Sequence, residues 1–165
     1  MADIDKIHEE AALNRFELLL GVISKDEVIA WADELILSSD HTDPSVHEIS
    51  LAGSKRAEEI AGWLGELSGG IAYREPSREA FSRFAAKLLT EWESHTSTPD
   101  EIAGKLYEVV WQSCLGLELP ETFSHFCNWI DDEFQLVHQK IKDREAAERE
   151  LRDFLIRAAN RANGS

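Results

Sequence analysis

Histidine, cysteine and carboxylate side chains are the groups through which this chain could do chemistry, and their spacing decides what kind. The six histidines are scattered, and none repeats at the two-His helical spacing of a zinc hydrolase. Glu121 and His125 share a helical face at i,i+4, but one His beside one acid reads as a surface pair before a metal site. Two acidic pairs at i,i+3 on facing helices would hold Mg²⁺ for hydrolysis of a nucleotide pyrophosphate, and Glu118 with Glu121 and Glu150 with Asp153 have that spacing. Pro120 puts the first pair across a helix start, so its two carboxylates need not converge and the match is set aside. Asp131, Asp132 and Glu133 read as a solvated acidic face before a cation site. There is no phosphate loop, no glycine-rich nucleotide fingerprint and no nucleophile elbow. Cys114 and Cys127 lie inside apolar helical patterns, without metal-ligand spacing, and are expected to be reduced core thiols. The residues point to no catalytic group, no metal and no cofactor, and the chain is not read as an enzyme.

What remains is the chemistry of association. The formal charge is −15, and it is concentrated. Residues 1–50 carry twelve acids against Lys6, Arg15 and Lys25, a net of −9, and residues 91–133 carry ten acids against Lys105 alone, again −9. The stretches 51–90 and 134–165 come to +1 and +2. A field of that sign repels nucleic acid and anionic membrane and attracts basic partners, or simply keeps the protein soluble. Trp129 projects about 100° from the middle of its helix's apolar face, with Leu136 on the same side and His125, Asp132 and Glu133 around it. Trp111 falls nearly opposite Ile102 and Val109. These tryptophans either pack against a second layer of helices or anchor an interface, because aromatic residues ringed by charge concentrate binding energy. The candidate partner-binding residues are Asp26, Asp33, Glu34, Trp129, Asp132 and Glu133.

Helices must position these groups. Ser24 and Glu27 form a capping box, and Val28, Ile29, Trp31, Ala32, Leu35 and Ile36 then share an arc of about 160° that faces the core. Asp26, Asp33, Glu27 and Glu34 fall on the opposite arc. An earlier helix spans 3–20, with Ile4, Ile7, Ala11, Leu18 and Leu19 inward and Gly21 as its C-cap. Asp43 and Pro44 start a short helix to about Leu51; another spans about 55–68 after Gly53 and Ser54; a third runs from Pro76 to about Glu93. Thr98, Pro99 and Glu101 open a helix that buries Ile102, Leu106, Val109, Val110 and Ser113. Pro120 opens the most aromatic helix, with Phe123, Phe126, Cys127, Ile130, Phe134 and Val137 on one face. After a break near 138–142 the last helix carries acid-first pairs Glu145–Arg149, Glu148–Arg152 and Asp153–Arg157. No segment alternates at period two long enough for a confident strand. The expectation is an all-α bundle of about seven or eight helices, one domain over 1–165 with a flexible extreme C-terminus from about 160. No apolar run approaches the ~20 residues of a membrane span, and MADIDKIHEE lacks the basic start and apolar segment of a signal peptide, so a cytoplasmic protein is expected.

The run Gly21 to Asp33 (GVISKDEVIAWAD), the set Ala103, Leu106 and Tyr107, and the run Ile130 to Phe134 (IDDEF) resemble the small all-α bacterial immunity proteins of polymorphic-toxin and contact-dependent inhibition systems. The resemblance implies tight binding to a co-encoded toxin, often a basic nuclease, whose active site is blocked; it carries no site residue with it. The acidity read above suits such a partner. The competing readings are an acidic helical scaffold without a toxin partner, and a carboxylate-dependent hydrolase.

Overall fold

The structure, a computed structural model, describes residues 4–39, 43–112 and 115–160. Among them the chain forms eight α-helices, one π-helical turn and no strand, which is the expected all-α class. Residues 1–3, where the first helix was expected to begin, 40–42, Ser113, Cys114 and the C-terminal stretch from 161 lie outside the described residues. The contacts divide the chain into two compact units, Met1–Ala80 and Phe81–Ser165.

The first unit holds α1 (Ile4–Leu19), α2 (Lys25–Ser38), α3 (Pro44–Ser50), α4 (Ala57–Leu67) and the opening of α5 (Arg74–Glu93). Helix α1 packs on α4, α2 on α3, and α3 on α4, around Ala11, Leu18, Val28, Ala32, Val46, Ile49, Ile60, Leu64 and Leu67. The ends follow the local chemistry. Gly21 takes φ +71°, and beyond it the Val22 amide donates to the Glu17 carbonyl at 2.8 Å, closing α1. Ser24 caps α2: its hydroxyl accepts from the Glu27 amide at 3.2 Å while the Glu27 carboxylate accepts from the Ser24 amide at 2.7 Å. Details differ from the sequence expectation. Helix α5 opens at Arg74, two residues before Pro76. The inner stripe of α1 runs through Ala11, Ala12, Phe16 and Leu18, leaving Ile4 exposed, because the helix turns its apolar arc toward α4. Helix α4 starts at Ala57, not near 55, with the Arg56 amide donating to the Glu59 carboxylate at 2.9 Å.

The second unit holds the rest of α5, α6 (Pro99–Tyr107), the π-helical turn Glu108–Gln112, α7 (Glu121–His138) and α8 (Arg144–Asn160). Helix α7 packs on both α6 and α8. Its expected aromatic face is the inner one: Cys127, Ile130, Phe134 and Val137 are buried, and Phe126 stacks on Phe154 of α8 with ring centroids 4.1 Å apart. Phe123 meets Phe154 edge-on at 5.2 Å and Phe81 at 5.8 Å. Each such ring pair contributes about 0.5–1.5 kcal/mol beyond area burial. A polar clasp fixes the other end of α7. Asp100, in the first turn of α6, accepts from His138 Nε2 at 2.7 Å, at the C-terminal end of α7, and from both terminal nitrogens of Arg144, at the start of α8, at 2.9 and 3.3 Å. Lys140 closes α7 at φ +60°, with the Ile141 amide donating to the Leu136 carbonyl at 3.0 Å. On α8 Arg152 reaches to another element, pairing with Glu93 at 3.2 Å and lying over the Trp92 ring, whereas Arg157 donates to the Asp153 carbonyl of its own helix.

Candidate functional site

The outward face of α7 is the best-formed candidate surface. Four inward residues, Cys127, Ile130, Phe134 and Val137, orient the helix, and by 3.6-residue periodicity Glu121, His125, Asn128, Trp129, Asp132 and Gln135 must then face out; all six are exposed. Trp129 is 42% exposed and lies on the flank of Phe126, ring centroids 5.6 Å apart, so part of its indole is held while the rest meets solvent. Glu121 and His125 form the surface pair their spacing suggested, at 3.6 Å. A second indole joins from outside the helix. Trp111, in the π-helical turn, is 51% exposed and donates its Nε1–H to the Ser124 carbonyl of α7 at 3.3 Å.

The acids around Trp129 are not equivalent. Asp132 is exposed. Glu133, expected on the outward arc, has a side chain only 14% exposed and pairs with Lys142 at 3.8 Å, so the loop after α7 covers it. Asp131 is partly buried, and burial pushes its carboxyl above the usual range; an incoming bond from the Gln135 amide at 3.3 Å works against that rise, and the neighbouring Asp132 charge adds to it. On the inner face burial pushes the Cys127 thiol up to about 12, the state of an inert core cysteine. Cys114 is outside the described residues.

The other expected acids belong to the first unit. Asp26, Asp33 and Glu34 are exposed on α2, and Asp33 accepts the Ser50 hydroxyl of α3, which ties α2 to α3. Of the expected carboxylate pairs, Glu118 lies before α7, which starts after Pro120, whereas Glu150 and Asp153 are exposed on α8. Among the described residues no three His, Cys, Asp or Glu side chains are grouped to hold a metal ion, and no helix is long and apolar enough to cross a membrane. The interaction that sequence reasoning missed is Trp111 against Ser124. It depends on the π-helical turn, for which the sequence EVVWQ carries no signal.

No protein family, no curated protein and no solved structure matches this chain.

Proposed function

We propose that the protein acts by binding a basic protein partner through the outward face of α7, as an immunity-type inhibitor of a co-encoded basic toxin. The observation that carries this reading is Trp129: a large aromatic side chain left 42% exposed, braced by Phe126 and set beside Asp132. Such an anchor supplies residence time, and the net charge of −15 supplies encounter rate, in which the exposed Asp26, Asp33 and Glu34 take part as sources of long-range field. Glu133 supports the surface through its Lys142 pair and contributes less to the outward field.

The test uses the product of the adjacent open reading frame as partner. Trp129→Ala should raise the off-rate by ~2 kcal/mol, about 30-fold, with little change in on-rate. Asp33→Lys with Asp132→Lys should slow association at low salt and converge on wild type as the Debye length shrinks toward ~3 Å at 1 M. Association indifferent to salt, or unchanged affinity of folded Trp129→Ala, would sink the reading.

A further inference from the structure

The first unit has a cleft of about 580 Å³, inside the ~300–1,000 Å³ range of ligand sites. One wall is a single stripe of α1, where Lys6, Glu9, Glu10 and Leu13 recur at helical spacing; the other is the entry to α5, with Ile71, Ala72, Glu75, Pro76 and Glu79. Leu13, Ile71, Ala72 and Pro76 supply the apolar lining, from buried Pro76 out to exposed Ala72, and the four glutamates with Lys6 give the lining a net charge of −3. The walls are built in place. Tyr73 packs edge-on against Phe16, centroids 5.5 Å apart, and its hydroxyl lies 3.3 Å from the Ser68 hydroxyl, which fixes the segment carrying Ile71 and Ala72. Glu10 is oriented by the Trp31 indole N–H at 2.9 Å. An aliphatic ammonium already uses this edge: Lys6 stands 3.7 Å from Glu10. Arg78 approaches Glu75 only to 4.0 Å, and the Glu75 side chain is 84% exposed.

We infer that this cleft docks a basic peptide segment in which arginine or lysine alternates with an aliphatic residue. Charge complementarity chooses the occupant. The first unit carries seventeen acids against seven lysines and arginines, and the long methylene stems of basic side chains cover apolar surface while their heads stay at a charged rim. The inference stands apart from the α7 reading: it concerns a different unit and needs no toxin.

The test is fluorescence anisotropy of the full chain at low salt with a labelled hexapeptide alternating arginine and leucine. Wild type should bind it and ignore a peptide alternating glutamate and leucine. Ala72→Trp, which fills the cleft without changing charge, should weaken binding more than tenfold, and Glu9→Gln with Glu75→Gln about tenfold, since each rim charge acts at short range. Glu48→Gln with Glu58→Gln removes the same two charges elsewhere on this unit, at exposed positions outside the cleft lining, and should change binding less than twofold. Four results would overturn the inference: no binding of the hexapeptide; equal effects of the two charge-removing pairs, which would leave only a general acidic field; equal binding of a peptide alternating arginine and glycine; and displacement by micromolar spermidine, which would mark a site for small cations.

Discussion

Removing the carboxylate of Asp100 is the sharpest test of how the second unit is held. Asp100 joins the start of α6 to the end of α7 through His138 and to the start of α8 through Arg144. The Arg144 hydrogen bonds, followed by the Arg144 and His138 charges, outweigh burial and hold its carboxyl below the usual range. The partners are partly solvated, Arg144 at 44% and His138 at 62% side-chain exposure, so each pair is worth no more than ~0.2–1 kcal/mol. A bidentate arginine, a histidine that counts fully only when protonated, and ~0.3–1 kcal/mol for a carboxylate in the first turn of α6 together give about 1–2 kcal/mol. Asp100→Asn should therefore speed hydrogen exchange in α6 and α8 by about 5–30-fold at pH 7, read by mass spectrometry on the native protein. The pH dependence has a required sign. A carboxylate with a depressed folded pKa contributes stability above its ordinary value of about 3.8 and loses it as pH falls through the depressed one. The gap between wild type and Asp100→Asn must be present at neutral pH and close below about 3.8. Equal protection at pH 7, or a gap that persists undiminished in acid, would refute the clasp.

Further expectations concern the same unit. Lys140→Gly should stabilise by about 0.5–1 kcal/mol in urea unfolding, because φ +60° costs a side chain and not glycine. Phe154→Ala, which empties the stack between α7 and α8, should cost ~3–5 kcal/mol by the same measurement. Cys127 should resist iodoacetamide at pH 8 in the native protein and react once urea unfolds it, as peptide mapping would show. Asp131→Asn keeps an acceptor for Gln135 and removes a carboxyl whose charge burial disfavours; it should stabilise at pH 7, with the advantage fading as acid protonates the wild-type group.

The helix ends were the most legible part of the sequence. Ser24 with Glu27, Thr98 with Glu101, Asp43 before Pro44, and Gly21 each mark a boundary by a bond formed within a few residues, so no tertiary knowledge is needed to read them. The left-handed closures at His95 and Lys140 were not legible, since glycine is the usual residue there and both positions carry a side chain. Burial of Phe16 and exposure of Ile4 depend on where α4 lies, which the periodicity of α1 alone does not determine. The boundary between the two units falls inside α5, where composition is silent. At the α7 surface, Trp129 and Asp132 were readable from phase, whereas the covering of Glu133 by Lys142 required the path of the loop beyond the helix.

The π-helical turn at Glu108–Gln112 also has a meaning for chain length. A turn closed by i→i+5 bonds holds one residue more than an α-helical turn, so Trp111 stands where residue 110 of an uninterrupted helix would stand. Sequence phase had set it opposite Ile102; the extra residue swings it round to Ser124 instead. A chain shortened by one residue here, at Val110 for instance, would close α6 in regular α-helical bonds and still deliver an indole to the same carbonyl. The same deletion inside α7 would turn every later side chain of that helix by about 100° and carry its apolar face into solvent. Deletion of one residue should therefore be accommodated at the turn that carries Trp111 and should disrupt the helix that carries Trp129.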